Sequence, residues 1–171
     1  QEAWAALPVE ERAHRVLRYR DAIVDRSDEV IDLLTRECGK PRHEALLHEV
    51  MVVADIATYF AKNADSILSA RQISLHLMKH RKSYIHYVPR GVVGVISPWN
   101  YPLTLGISDA LPAIVAGNAV LTKPDAQTPY AALWAVELLE EAGMPPGLVQ
   151  VVTGSGAELG TPIIESSDFL I

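Results

Sequence analysis

One stretch, Gly91 to Pro129 (GVVGVISPWNYPLTLGISDALPAIVAGNAVLTKPDAQTP), limits the fold more than any other part of the chain. A short apolar run, Val92-Val93-Gly94-Val95-Ile96, ends in Ser97-Pro98-Trp99-Asn100. A helix-like segment of small apolar residues follows to Ala116, and a second apolar run, Ala119 to Thr122, ends in Lys123-Pro124. The pattern is strand, helix, strand, with polar residues at the C-terminal end of each strand. In open parallel α/β sheets that edge is where ligands sit.

The alternation continues downstream. Strands are expected at Val149 to Val152 and from Phe169 onward, and helices near Leu103 to Ala116, Thr128 to Ala142 and Ala157 to Ser166. Strands alternating with helices predict a parallel sheet with crossover helices. Upstream, Glu2 to Asp25 carries Trp4, Leu7, Val16, Leu17, Ile23 and Val24 among many charges, an amphipathic helical pattern. Asp28 to Cys38 reads as a second helix, stopped by Gly39 and Pro41. His43 to Asn63 is a third, with Leu46, Val50, Val53, Ala57 and Phe60 as its buried stripe and Leu47 and Ile56 beside them; Ser66 to Ala70 is a connector. Past Arg71, Ile73, Leu75 and Leu77 alternate with Ser74, His76 and Met78, and Tyr84 to Val88 is again strand-like. Two period-2 runs about the basic Lys79-His80-Arg81-Lys82 predict an antiparallel hairpin with a solvated tip.

At 171 residues, 49% of them apolar, the chain forms one domain or one and a part, with enough apolar mass for a packed core. A formal charge of -6 argues against nucleic acid or an anionic membrane as the main partner. No apolar run approaches the ~20 residues needed to span a bilayer, and QEAWAALPVEERAHR lacks the layout of a signal peptide. The single cysteine, Cys38, excludes an internal disulfide framework and fits a reducing cytosol, so the expected compartment is cytoplasmic.

Three segments keep a recognisable order and spacing: VPRGVVGVISPWNYPL (Val88 to Leu103), PAIVAGNAVLTKPDAQTP (Pro112 to Pro129) and VVTGSGAELG (Val151 to Gly160). They resemble the cofactor-binding half of the aldehyde dehydrogenase superfamily, and with the upstream helices the resemblance covers essentially the whole chain. Pro-Trp-Asn followed at this distance by Lys-Pro is its specific part. Among subfamilies the chain is most similar to the NADP-dependent succinate-semialdehyde dehydrogenases. The resemblance implies an aldehyde dehydrogenase-like α/β fold in three parts: a helical segment, 1–70, packing on the cofactor domain; a projecting oligomerisation β-hairpin, 71–90; and an incomplete Rossmann-like NAD(P)-binding domain, 91–171. It implies a homo-oligomer, dimer or tetramer, acting on a small-molecule aldehyde, with no nucleic-acid or membrane partner. The chain lacks an initiator Met and stops on the apolar Phe169-Leu170-Ile171, so a fragment is expected, with the family's nucleophilic cysteine and catalytic glutamate beyond Ile171.

Asn100 is the residue most suited to chemistry. Its neutral amide can donate to an oxygen that gains negative charge as a nucleophile attacks a carbonyl; its sequence position equally suits a cap for the helix starting at Pro102. The resemblance implies the first role. It also implies that Ile96, Ser97, Pro98 and Trp99 line the dinucleotide site, where Trp99 could otherwise be plain core. Lys123 ends the second strand, where doubly wound folds read the adenosine ribose. The resemblance implies that NAD-preferring relatives carry Lys-Pro-x-Glu, whereas this chain reads Lys123-Pro124-Asp125-Ala126. The missing carboxylate favours NADP, with NAD as the alternative, although Asp125 is adjacent and a surface lysine without a partner is the plain reading of Lys123. Gly154, Gly156 and Gly160 (GSGAELG) are one residue longer than the dinucleotide fingerprint and alone suggest only a turn; by resemblance Gly156 and Gly160 lie beside the adenine. Cys38 reads as a structural thiol, the six histidines show no metal spacing, and Glu137, Glu140 and Glu141 read as a solvated face. A non-catalytic nucleotide-binding or subunit-assembly module is the alternative function.

Overall fold

The computed structural model describes residues 1–77 and 79–171. Met78, assigned above to the first hairpin strand, lies outside the described residues. The elements are α1 (Glu2–Ala5), α2 (Val9–Asp25), α3 (Ser27–Cys38), α4 (Arg42–Ala45), a π-helical turn (Leu46–Val50), α5 (Met51–Leu68), β1 (Arg71–Ile73), β2 (Ser83–Ile85), β3 (Val92–Ile96), α6 (Pro102–Ile107), α7 (Ala110–Val115), β4 (Ala119–Lys123), α8 (Tyr130–Glu141), β5 (Val149–Val151), α9 (Gly156–Ser166) and β6 (Phe169–Leu170).

The α/β class and the parallel sheet are as expected. Four strands pair in the order β5-β4-β3-β6, every pair parallel. Val93, Gly94 and Val95 are all buried, so β3 has no solvent face and reads as a continuous apolar run. Successive connections β3→β4→β5 step one way across the sheet. Right-handed crossovers place α6, α7 and α8 on one face and α9, which leads back past β4 and β3 to β6, on the other. The reversal of direction between β3 and β6 is a topological switch point, and ligands of open α/β sheets bind outside the strand C-termini there. Two glycines permit this packing. A Cβ on Gly94 would stand 2.5 Å from Ser167 Oγ, and Gly91, at φ 128°, would drive one to 2.2 Å from the Asp168 carboxylate that accepts from Val92 N–H.

The N-terminal helices form a further layer outside α6–α8. α2 packs on α5, both touch α7, and α3 lies on α8. Trp4 Nε1 donates to Ile114 O (2.8 Å) and Arg12 Nε to Val115 O (2.9 Å), so two side chains from the start of the chain satisfy carbonyls at the end of α7. Asn118 ties that end to the sheet, donating to Ala113 O and accepting from Arg90 and Gly91 N–H.

Four expectations need correction. The helix assigned to Glu2–Asp25 breaks at Pro8, which opens α2 from extended backbone. The segment from Leu103 to Ala116 is two short helices, because the ring of Pro112 cannot coexist with a continuous helix through Ser108, four residues earlier. In the third helix the π turn adds a residue and rotates the buried face. Val50, Val53 and Ala57 are buried as expected, but Leu46 and Leu47 are exposed, Phe60 is half-buried, and Ala45 and Glu49 lie inside; the helix then runs to Leu68 through the supposed connector. The hairpin keeps only three residue pairs, Arg71↔Ile85 to Ile73↔Ser83, with both strands largely open to solvent and Leu77 98% exposed. Its strands are largely uncovered among the described residues, and a lone two-stranded ribbon is marginal. Val24 is exposed too.

α8 lacks a cap of its own, and Glu37 from α3 supplies one: its carboxylate accepts from Tyr130 N–H (2.6 Å) and Ala131 N–H (3.0 Å). Burial outweighs these bonds and raises the Glu37 carboxyl above its ordinary 4.5. A carboxyl raised on folding contributes stability that is fully present below its unfolded value and is lost as pH climbs through the raised one. In urea unfolding of the parent beside Glu37→Gln, the parent-minus-variant stability should therefore shrink as pH rises from below 4.5 toward neutrality. A difference that grows over that range would show the two N–H bonds, not burial, to dominate.

Candidate functional site at the strand C-termini

The register of β3 on β4 sets the geometry. Ile96 lies opposite Lys123, and Ser97 N–H donates to Lys123 O (3.1 Å), so the loops Ser97–Tyr101 and Pro124–Pro129 leave the sheet side by side. Val152 N–H donates to Thr122 O (2.9 Å) and brings the loop before α9 to the same edge, one strand further along. Ile96, Ser97, Pro98, Trp99 and Asn100 are thus adjacent to Lys123, Pro124, Asp125 and Ala126. Gly156 and Gly160 lie in the first half of α9, the helix after β5.

The structure excludes the plainer reading of three of these residues. Trp99 is 56% exposed, so it is not core. Asn100 is exposed and does not cap α6: the N-cap residue is Tyr101, with no side-chain cap bond. The orphan N–H of Thr104 in the first turn is taken instead by Glu49 Oε2 (2.7 Å). Lys123 is not a surface lysine. It is 4% exposed, and among the described residues its Nζ bonds only the neighbouring carbonyl of Pro124 (3.0 Å). The Asp125 carboxylate turns the other way, accepting from Gln127 N–H (2.9 Å) in a local Asx turn, and forms no ion pair with Lys123. Position 126 is exposed and, being alanine, carries no carboxylate.

A dinucleotide fits these residues. Lys123 offers a cation without a carboxylate partner among the described residues. Ser97 Oγ and Thr128 Oγ1 are buried at this edge with no hydrogen-bond partner, and the positions of Cβ atoms on Gly156 and Gly160 meet nothing within 4 Å. Backbone there is open to close approach. Ser155 Oγ, accepting from Ala157 N–H (3.2 Å), fixes the start of α9.

Two residues at this edge were not singled out from sequence. Lys40, after the left-handed Gly39 that ends α3, has its side chain 9% exposed and pairs with the fully buried Glu49. Its Nζ also donates to Asn100 O (2.8 Å) and lies 4.0 Å from the centroid of the Tyr101 ring. The signal was present: Glu49 falls on the i, i+4 series of Ala45, Val53, Ala57 and Ala61, where a charge among buried positions demands a partner. The remaining candidates are structural. Cys38 Sγ bonds Leu34 O within α3 (3.1 Å), Glu141 pairs with Arg26 (2.5 Å), Glu140 accepts from Gly147 N–H (3.1 Å), and no metal-binding cluster occurs among the described residues.

Residues 1–170 match the aldehyde dehydrogenase family. A Mycobacterium ulcerans protein named "Putative succinate-semialdehyde dehydrogenase", with NADP(+) in the name, is 46% identical over 171 residues, covering 100% of this chain and 33% of its own length. A Mycolicibacterium smegmatis protein of similar name is 44% identical with the same coverage. Among solved structures, an NAD+ complex of a Bacillus cereus aldehyde dehydrogenase gives a TM-score of 0.87 at 33% identity, covering 97% of this chain and 33% of that one. PnpE in complex with nicotinamide adenine dinucleotide gives 0.89 at 34% identity, covering 98% and 34%. The chain spans about a third of the length of the curated relatives it matches. With Pro-Trp-Asn and Lys-Pro placed side by side at the sheet edge, the chain belongs to the aldehyde dehydrogenase family.

Proposed function

We propose that this chain is the N-terminal part of an NADP-dependent aldehyde dehydrogenase that oxidises succinate semialdehyde to the dicarboxylic acid. The observation that carries the reading is the Asn100 side chain, exposed at the strand edge and released from the capping role by Glu49. The names of the relatives support the substrate and the cofactor. In this reading residues 91–171 hold the dinucleotide, residues 1–70 buttress them, and the hairpin 71–90 contributes to a homo-oligomer; the open apolar surface of Leu77 and Val88 supports that last role. The single half-buried thiol, Cys38, suits a reducing compartment, and we assign the enzyme to the cytoplasm.

A cysteine outside these residues attacks the aldehyde carbon, and negative charge gathers on the carbonyl oxygen. The Asn100 amide donates to that oxygen as the tetrahedral thiohemiacetal forms and again as the thioester is hydrolysed. Preorganisation matters here, because a donor already in place needs no rearrangement when charge develops. A nicotinamide dinucleotide, when bound, would supply the two-electron oxidation, as acceptor of the hydride from the former aldehyde carbon. Lys123 would hold the adenosine ribose and its 2′-phosphate, Trp99 and the Ile96–Pro98 backbone would form one wall of the site, and Gly156 and Gly160 would leave room for the base. Ala126, with no carboxylate to repel a phosphate, sets the preference for NADP.

Two measurements test this in the whole gene product. Asn100→Ala should lower kcat for succinate semialdehyde by about 10²–10³-fold, the usual loss for an oxyanion donor, while fluorescence titration finds NADP affinity nearly unchanged. Equal losses in turnover and affinity would remove the oxyanion role. Ala126→Glu should move the NADP/NAD ratio of kcat/KM toward NAD by about tenfold, since a carboxylate there bonds a 2′-hydroxyl and repels a 2′-phosphate. An unchanged ratio would mean that the ribose is read elsewhere.

A further inference from the structure

The Asn100 amide makes no hydrogen bond of its own among the described residues, and the loop that bears it, Ser97–Tyr101, has no regular structure. Its aim is therefore set by the backbone. The peptide group that follows Asn100 is held through its carbonyl by Lys40 Nζ (2.8 Å), whose ammonium is at the same time bonded to Glu49 and set 4.0 Å from the centroid of the next ring, Tyr101. The other oxygen of Glu49 takes Thr104 N–H (2.7 Å) in the first turn of α6, and Thr104 Oγ1 donates back to His48 O (2.9 Å). One buried ion pair thus grips residues 100, 101 and 104 from the same side. The π turn Leu46–Val50 is what carries Glu49 inward to do so, its side chain wholly buried.

We infer that Lys40, held by Glu49, is the positioning residue for the Asn100 amide. The inference rests on the reading of Asn100 as the oxyanion donor. Holding the 100–101 peptide plane restrains ψ at Asn100 and so the direction of its Cα–Cβ bond, the base from which the two side-chain torsions carry the amide nitrogen. Misplacing a reacting or stabilising group by about 1 Å costs on the order of 10²-fold in rate. A compact ammonium is suited to this task, since its three N–H bonds point to three different partners and two are accounted for by Glu49 and Asn100. A purely structural ion pair would hold the helices together without regard to where Asn100 points.

The test is a double-mutant cycle in the whole gene product with succinate semialdehyde and NADP. Lys40→Met alone would strand the buried Glu49 carboxylate, so Lys40→Met is combined with Glu49→Gln, which leaves no uncompensated charge. The pair should lower kcat about 10- to 100-fold, leave the KM for the aldehyde and the dissociation constant for NADP within about twofold, and add less than about threefold to the loss already caused by Asn100→Ala. Losses that multiply in the combined variant would show Lys40 acting apart from Asn100 and would overturn the inference. So would an unchanged kcat in a cycle where Asn100→Ala is impaired, which spares the oxyanion reading. A variant that loses NADP binding and melts early would make the ion pair structural cement only. A parent without turnover, or an Asn100→Ala variant that matches the parent, would remove the oxyanion reading and this inference together.

Discussion

Five consecutive parallel pairs, Val92↔Ala119 through Ile96↔Lys123, are the contact on which the site depends. Parallel strands cannot be joined by a tight turn, so the chain must cross over, and the crossover must be long enough to return to the starting edge. α6 and α7 fill that crossover. The consequence is geometric: both strands deliver their C-termini to one edge, and Asn100 and Lys123, more than twenty positions apart in the chain, leave the sheet from neighbouring strands. Sliding β4 by one residue would exchange its two faces, turning Val120 and Thr122 away from the places they now fill, and would separate Ser97 N–H from the carbonyl that anchors the turn.

The N-terminal helices are more than packing for that sheet. The end of α3 and the residues after it reach both strand-edge loops. Glu37 satisfies the first N–H groups of α8, and Lys40 with Glu49 holds the loop and helix that follow β3. In each case a helix start that lacks a local cap receives a carboxylate from a distant element, which suits the positive end of the helix dipole as well as its orphan donors. Removing one partner of a buried pair leaves the other charge uncompensated, at a cost of about 3–5 kcal/mol, so the loops are bound tightly to the helical layer.

What the sequence made legible was what is decided locally. Val92–Ile96 was readable because a β-branched run closed by polar residues and proline has few other conformations open to it, and the adjacency of the two motifs then followed from parallel pairing. Pro8 and Pro112 are visible breakers, yet an amphipathic pattern runs through the first and an unbroken series of small apolar residues through the second. The π turn was hidden, since an inserted residue leaves no compositional mark and shows only as a rotation of the buried face from Leu46 to Ala45 and Glu49. The hairpin is shorter than its alternation suggests because alternation marks two faces without showing what covers either, and β1 and β2 pair over only three residues each. The capping role of Asn100 stayed open in the sequence because the group that takes it, Glu49, is 55 positions away from the Thr104 N–H it accepts. Lys123 was placed correctly on its strand, but its burial depends on how neighbouring loops close over it.

The bond from Lys40 to Asn100 spans 60 positions of chain. At about 5–20 residues per second of synthesis, roughly 3 to 12 s separate the emergence of the two residues from the ribosome. During that interval α2, α3 and α5 can already be helical, while the Lys40 and Glu49 charges remain hydrated and keep the nascent helical layer from burying its inner surface against the wrong partner. The pair becomes dry only when the Asn100 loop arrives with β3 and β4 behind it. Closure of this edge therefore waits on the loop: until the Asn100 carbonyl is delivered, Lys40 lacks one of its two hydrogen-bond acceptors.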